Sequence, residues 1–204
     1  RSSDLMGNLV IDAVKASRPF EMNPKRSAEV NVLMTRMAAE MGLGDELIRP
    51  SIGIKPKIMV ILDNANGNDA RTGYFMENGY DDFKAKLLVS GDLRMGDLYV
   101  TGVCKKVKDK EKDYTKDEIG QFIDFMREEI NLVRPTYVLT CGSRATSLFN
   151  NKSKPSDLVG RKEYLPDLDV TVFYGFNPNI LYFRPEEGEK LEAILAEVAE
   201  TINK

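Results

Sequence analysis

Ile58-Met59-Val60-Ile61-Leu62 is an unbroken apolar run, the strongest pattern along the chain. A run of strand length without polar alternation fits a strand covered on both faces, as in a parallel sheet. Residues 98–104, 136–141 and 170–174 are three more stretches of the same kind. Between and after them the apolar positions change to steps of three and four, the period of a helix with one buried face. This spacing predicts a helix over 80–89 and a short one from Gly142-Ser143-Arg144 to about Asn150. A longer one runs to about Val133, opened by Thr115 and Glu118 as a capping box. A terminal helix over 186–203 puts Leu191, Ile194, Leu195, Val198 and Ile202 on one side. Upstream, residues 4–17 read as an amphipathic helix with Leu5, Leu9 and Val14. Residues 27–42 read as another, with Val30, Leu33, Met37 and Met41, stopped by Gly42 and Gly44. Residues 45–56 read as an extended linker ending in Lys55-Pro56.

Strands that alternate with helices imply an α/β fold. The expectation is a three-layer α/β/α sandwich with a central four-stranded parallel sheet over residues 51–204, and a helical extension over 1–50 that links to a larger assembly. Ligands in such sheets bind beyond the carboxyl ends of the strands. Three polar segments fall there: 63–73, 142–144 and 175–181.

Composition narrows the chemistry. The 204 residues include no His, no Trp and two Cys. Without His there is no Ser-His-Asp or Cys-His nucleophile, no His general base and no His-bearing zinc site. Two thiols cannot hold a four-thiolate zinc or iron–sulfur centre within one chain, and they make no disulfide framework. A reducing compartment, such as the bacterial cytoplasm, is therefore expected. Lys and Arg number 29 against 32 Asp and Glu, a net charge of −3. Any phosphate contact must then be local, because no global basic field exists. No apolar run reaches the length of a membrane span. The chain begins Arg-Ser-Ser with no apolar segment of signal-peptide type, and reads as a processed or excised fragment.

Each polar segment has two readings. Residues 63–69 could line a pocket or form an ordinary strand-to-helix turn; they match neither a Walker A loop nor a dinucleotide fingerprint. Residues 142–147 open a helix whose free amides, with Ser143 and Arg144, suit a phosphate, or are simply capped by Ser143. In residues 175–181, Asn177 and Asn179 flank Pro178, either as readers of a base edge or phosphate or as a common turn. The cluster Lys105, Lys106, Lys108, Lys110 and Lys112, interleaved with Asp109 and Glu111, reads as a solvated loop. Cys104 and Cys141, each ending an apolar run, read as buried, inert thiols.

Taken in order, these segments resemble the uracil-DNA glycosylase superfamily, most closely family 4, whose members are often described as phage DNA polymerase-related. The likeness covers residues 52 to about 200. Residues 57–67 are similar to the family's apolar strand ending in Gly-Glu-Ala-Pro-Gly, and 98–106 to its strand ending in Thr-Asn-Val-Val-Lys. Residues 114–146 are similar to its Pro-Thr-x-x-Glu-Ile helix and the following Leu-Gly-x-x-Ala, and 174–184 stand at its His-Pro-Ser-Ala-Leu-Leu-Arg. The family flips a base out of DNA and hydrolyses its glycosidic bond. The resemblance puts Asn64 at the family's catalytic carboxylate and Asn177 at its catalytic His. Ala65, Asn66, Phe75 and Gly102 fall in the base pocket, with Gly102 at the base-reading Asn and Phe75 (or Met76) at the stacking aromatic. Gly142, Ser143, Arg144, Ala145, Pro178, Asn179 and Arg184 fall in the segments that grip DNA backbone. The family's cluster cysteines are absent, so no iron–sulfur cluster, other cofactor or metal is expected. An amide cannot act as a general base. The expectation is a DNA-binding domain of replication or repair, partnered by DNA and a polymerase or other replication protein, with weak or no base excision. Two readings stay beside it: an active uracil or mismatch glycosylase in which Asn64 positions water, and a protein-interaction domain that binds no DNA.

Overall fold

The computed structural model describes residues 20–204, so the helix expected over 4–17 lies outside the described residues. The strands are β1 Ser51–Ile52, β2 Ile58–Ala65, β3 Leu98–Val107, β4 Tyr137–Cys141, β5 Lys162–Leu165 and β6 Val170–Gly175. The helices are α1 Pro24–Met41, α2 Gly67–Ala70, α3 Asp81–Val89, α4 Lys116–Val133, α5 Ser143–Ser147, α6 Pro155–Leu158, α7 Ile180–Phe183 and α8 Gly188–Ile202. One sheet joins the strands in the order β1-β3-β2-β4-β6-β5. The four inner strands are parallel, as expected, and the edge strands β1 and β5 add an antiparallel pairing at each side.

The apolar run of β2 divides between two cores by the two-residue period of a strand. Met59 and Ile61 point to one side, where α1 contributes Val30, Leu33, Met34 and Met37 and α4 contributes Phe122, Met126, Ile130 and Val133. Ile58, Val60 and Leu62 point to the other, against Phe83 and Leu87 of α3 and Leu191, Ile194, Leu195 and Val198 of α8. Each such side chain stabilises the fold by about 1.5–3 kcal/mol on burial, so a polar residue within the run would be costly on either face. The result is the three-layer α/β/α arrangement. The caps also follow the sequence. Thr115 Oγ1 accepts from the Glu118 amide at 3.0 Å while Glu118 Oε1 accepts from the Thr115 amide at 3.2 Å. α1 begins earlier than expected because Asn23 caps it, accepting from the Arg26 amide at 2.8 Å, with Pro24 at the first helical position.

Two expectations are corrected. Residues 45–56 are no linker: Leu47 and Ile48 are buried, and β1 pairs with β3 through Ser51–Val100 and Ile52–Tyr99. Lys105 does not belong to a solvated loop. β3 continues through Val107, and Lys105 is fully buried. Its Nζ lies 2.7 Å from Glu129 Oε1 on α4 and donates to the Gly102 carbonyl at 2.5 Å, while Tyr99 donates to Glu129 Oε2 at 2.8 Å. A buried charge survives when it is paired and its donors are filled. The partner that permits this lies 24 residues further along, on another element.

Candidate functional site at the strand ends

The inner strands follow a doubly wound order. From β2 the chain crosses to β3 on one side and then, through α4, to β4 on the other. The strand order reverses between β2 and β4, and in such sheets this crevice is where ligands bind. Register lines up its walls. Gly102, Leu62, Cys141 and Gly175 form one row across four strands. Asn64, Ser143 and Asn177 each lie two residues beyond that row. Asn64 and Asn177 thus emerge at one level, about 10 Å apart by strand spacing.

Residues 142–145 hold an anion, and it belongs to the protein. Asp63, at the end of β2, accepts the Ala145 amide at 2.9 Å, and the neighbouring amides of Ser143 and Arg144 favour its charged form. Gly142 makes this possible: its φ is +145°, and a Cβ there would fall 2.2 Å from the Asp63 carboxyl. Burial raises the Asp63 pKa above the usual carboxylate value, against these amides and the nearby Arg144 charge, which lower it. The helix-terminal amides that the sequence offered to a phosphate thus face a carboxyl of the protein itself, and Ala145's is occupied by it. The side chains of Ser143, exposed, and Arg144, half-buried, stay at the rim. The Arg144 guanidinium lies 5.6 Å over the Tyr114 ring and 3.5 Å from Cys104 Sγ. Both thiols are buried; burial pushes Cys104 up to about 11 and Cys141 higher still.

On the opposite face of the sheet lies the expected base pocket. Asn64 is half-buried beside a register shift in the β2–β3 pairing, and its amide donates to the Ala65 carbonyl at 3.0 Å. Ala65 is buried. Asn66 caps α2, its Oδ1 accepting the amides of Asn68 and Asp69 at 2.9 and 3.2 Å. Phe75 is fully buried, and a Cβ on Gly102 would stand 2.5 Å from its ring. The aromatic therefore fills the space that a side chain at 102 would take. Met76, the alternative aromatic position, is also fully buried.

Sequence reasoning missed Asp69. Its carboxylate is fully buried and accepts from the amides of Asn66 and Met76 and from the Tyr80 hydroxyl, each at 2.9 Å. Met76 and Tyr80 both sit at φ +60°, a conformation that costs a non-glycine residue about 1 kcal/mol or more and needs such an anchor. Burial raises the Asp69 pKa despite these donors. The signal was present: Asn66 followed three residues later by Asp69 is a capping-box spacing.

The last-motif loop closes the mouth. Asn177 Oδ1 accepts the Asn179 amide at 2.9 Å, Pro178 is buried, and Asn179 is exposed. Asn66, Pro178 and Asn179 meet in one small pocket with Asn68, Tyr80 and Tyr182. Its volume is about 20 Å³, room for about one water, against some hundreds of Å³ for a ligand-sized cleft. Beside it Tyr182 and Phe183 are 71% and 85% exposed, followed by exposed Arg184.

No protein-family model matches the chain. Over 202 residues it is 96% identical to a DNA polymerase III subunit alpha of Yersinia pestis, a match covering 99% of this chain and 17% of that protein. It is 23% identical over 163 residues to a type-4 uracil-DNA glycosylase of Archaeoglobus fulgidus, covering 76% of this chain and 82% of that protein. Among the described residues no helix is long and apolar enough to cross a membrane.

Proposed function

We propose that residues 51–204, with α1 packed into the same core, form a uracil-DNA glycosylase-like domain that binds DNA in replication or repair within a larger assembly and excises bases weakly or not at all. The observation that supports this reading is Phe75, fully buried with its ring in the space that a side chain at position 102 would take. Asn64 and Asn177 stand where the resembled family has its carboxylate and its His, and neither amide can take or give the needed proton. Asp63 does not replace the carboxylate. It lies on the other face of β2 and is tied to the 143–145 amides. The rim keeps what a DNA binder needs: two exposed aromatics followed by an arginine, the composition of a wedge against a base step beside a phosphate contact. Similarity to the polymerase subunit supports a replication setting, and similarity to the glycosylase supports DNA as the ligand.

The test pairs a gel-shift titration with an excision assay. Binding of single- or double-stranded DNA is expected at about 50 mM salt, weakening steeply as salt rises. Tyr182→Ala/Phe183→Ala should weaken it without lowering the melting temperature. Uracil-containing and mismatched oligonucleotides should show no alkali-labile breaks. Absence of binding would refute the DNA reading. Breaks that disappear in Asn64→Ala would instead establish the active-enzyme reading, which the half-buried placement of Asn64 at the switch point favours.

A further inference from the structure

A second groove, about 290 Å³, runs between α4 and α5, outside the base pocket. Its walls carry Arg127 and Arg144, with Ser143 and Ser147, over an apolar floor that includes Ile119 and Ile123. The sequence spacing builds it. Ile119, Ile123 and Arg127 recur every four residues along one stripe of α4, which Lys116 continues one turn earlier. Ser143 and Ser147 have the same spacing on α5.

The two guanidiniums are under-used. Among the described residues Arg127 donates to the Leu148 carbonyl alone, at 3.4 Å. Arg144 contacts the Cys104 sulfur and the Tyr114 ring, and feels Asp63 only at longer range. Among the described residues neither makes an ion pair with a carboxylate, whereas Arg36, Lys86, Lys105 and Lys106 all do. Each guanidinium has five N–H donors suited to phosphate oxygens. Arg127, Ser143 and Ser147 are exposed, so these donors face solvent. The α5 amides play no part in the proposal, because they face the Asp63 carboxyl, which accepts that of Ala145.

We propose that this groove seats one nucleotide of a DNA strand, its phosphate held between Arg127 and Arg144 and its sugar and base lying on Ile119 and Ile123. The assignment rests on the DNA-binding reading above and extends the contact surface from the β2–β4 crevice onto α4. Sequence-tolerant single-strand sites pair a cationic track for the backbone with aromatic faces under the bases; here Ile119 and Ile123 give an apolar contact in place of the rings. It reads no base edge, so it supplies affinity rather than specificity.

The test is a fluorescence-anisotropy titration of a labelled single-stranded oligonucleotide across salt, with the full chain as wild type, Arg127→Ala, Arg127→Glu and Arg184→Ala. Melting curves establish that each variant folds. Arg127→Ala should weaken binding several-fold at low salt and lower the slope of log affinity against log salt by about 0.7, the loss of one phosphate contact on a single strand. Arg127→Glu should weaken it further. If the wild type binds and Arg184→Ala weakens it while both Arg127 variants match the wild type in affinity and slope, the groove proposal is overturned and DNA binding stands. If the wild type binds no DNA, both fall.

Discussion

The packing of Phe75 over Gly102 can be tested with the two residues as a pair. Phe75 is fully buried, so Phe75→Ala should cost about 3–5 kcal/mol, the usual loss for truncating a core aromatic. Gly102→Ala meets a different problem. Its backbone is not in the left-handed region, so alanine is allowed conformationally. Its Cβ, however, would lie 2.5 and 2.6 Å from two ring carbons of Phe75, where carbon contacts prefer about 3.5 Å or more. The ring cannot back away within a packed core, and overpacking of this kind costs about 1–3 kcal/mol. The next nearest atom is the Leu62 carbonyl oxygen at 3.4 Å, so Phe75 is the main obstacle.

The double variant separates the terms. With the ring gone, the methyl at 102 enters the cavity and its penalty vanishes. Taking about 4 kcal/mol for the first change and about 2 for the second, additivity gives about 6, whereas the packing shown here gives about 4 or less. A coupling near 2 kcal/mol is well outside the scatter for independent sites. Urea unfolding followed by far-ultraviolet circular dichroism measures it, since the chain has no Trp. For a chain of 204 residues the same difference moves Tm by about 4–8 °C. Costs that add to within about 0.5 kcal/mol would refute the claim that the ring occupies the space above Gly102. On the proposed reading Phe75→Ala should show no excision of uracil-containing DNA, because it opens space and adds no proton-transfer group.

Three further outcomes follow from the buried polar groups. Burial places the folded-state pKa of Asp63 above its ordinary 3.8, so between the two values the folded chain keeps a proton the unfolded chain has lost. This group's contribution to stability is therefore greatest below the ordinary value and declines as pH rises through the raised one. Paired urea titrations should show the wild type gaining on Asp63→Asn as pH falls through the raised value towards 3.8, and parallel curves would contradict the assignment. Lys105→Met, which strands the buried Glu129 carboxylate, should cost about 3–5 kcal/mol, and Lys105→Met/Glu129→Leu should recover most of it. A double variant as unstable as the single one in urea would remove the ion pair from the explanation. Iodoacetamide at about pH 8 should label neither Cys104 nor Cys141 in the folded chain and both in urea, as raised thiol pKa values and burial require. Prompt native labelling of Cys104 would show that its sulfur is open to solvent.

The parallel core was legible because burial on both faces expels polar residues from a strand. Residues 58–62 and 170–174 contain that rule in themselves. The edge strands do not. Ser51–Ile52 is half-buried and two residues long, and Lys162–Leu165 runs from exposed to half-buried, so neither shows a pattern that local reading can separate from a loop. Lys105 was misread for the same reason in reverse. A lysine in a run of lysines looks solvated until Glu129 and Tyr99 are placed across from it by the packing of α4 on β3. At the site, the segments were found because their position after the strands is a matter of order along the chain. Their contacts were not, since those pair distant residues. The helix-terminal amides at 143–145 look free for a phosphate only while Asp63, some 80 positions earlier, is out of view.

That distinction changes how the departures from the glycosylase pattern should be weighed. Read along the sequence, the glycine at 102 and the residue at 75 are separate features. In the fold they share one volume, for Phe75 occupies what any side chain at 102 would need. They constitute one packing solution, and a substitution at either position is expected to be tolerated best when the other changes with it. Asn64 and Asn177 are different. They stand at the ends of β2 and β6 with β4 between them, and each has its own hydrogen bond: Asn64 to the Ala65 carbonyl, Asn177 to the Asn179 amide. Their hydrogen bonds are separate, so on the proposed reading the two amides are two independent departures from proton-transfer chemistry. If the proposed reading holds, a paired change at 75 and 102 would open space in the core, whereas excision would require both polar positions to be rebuilt separately at the rim.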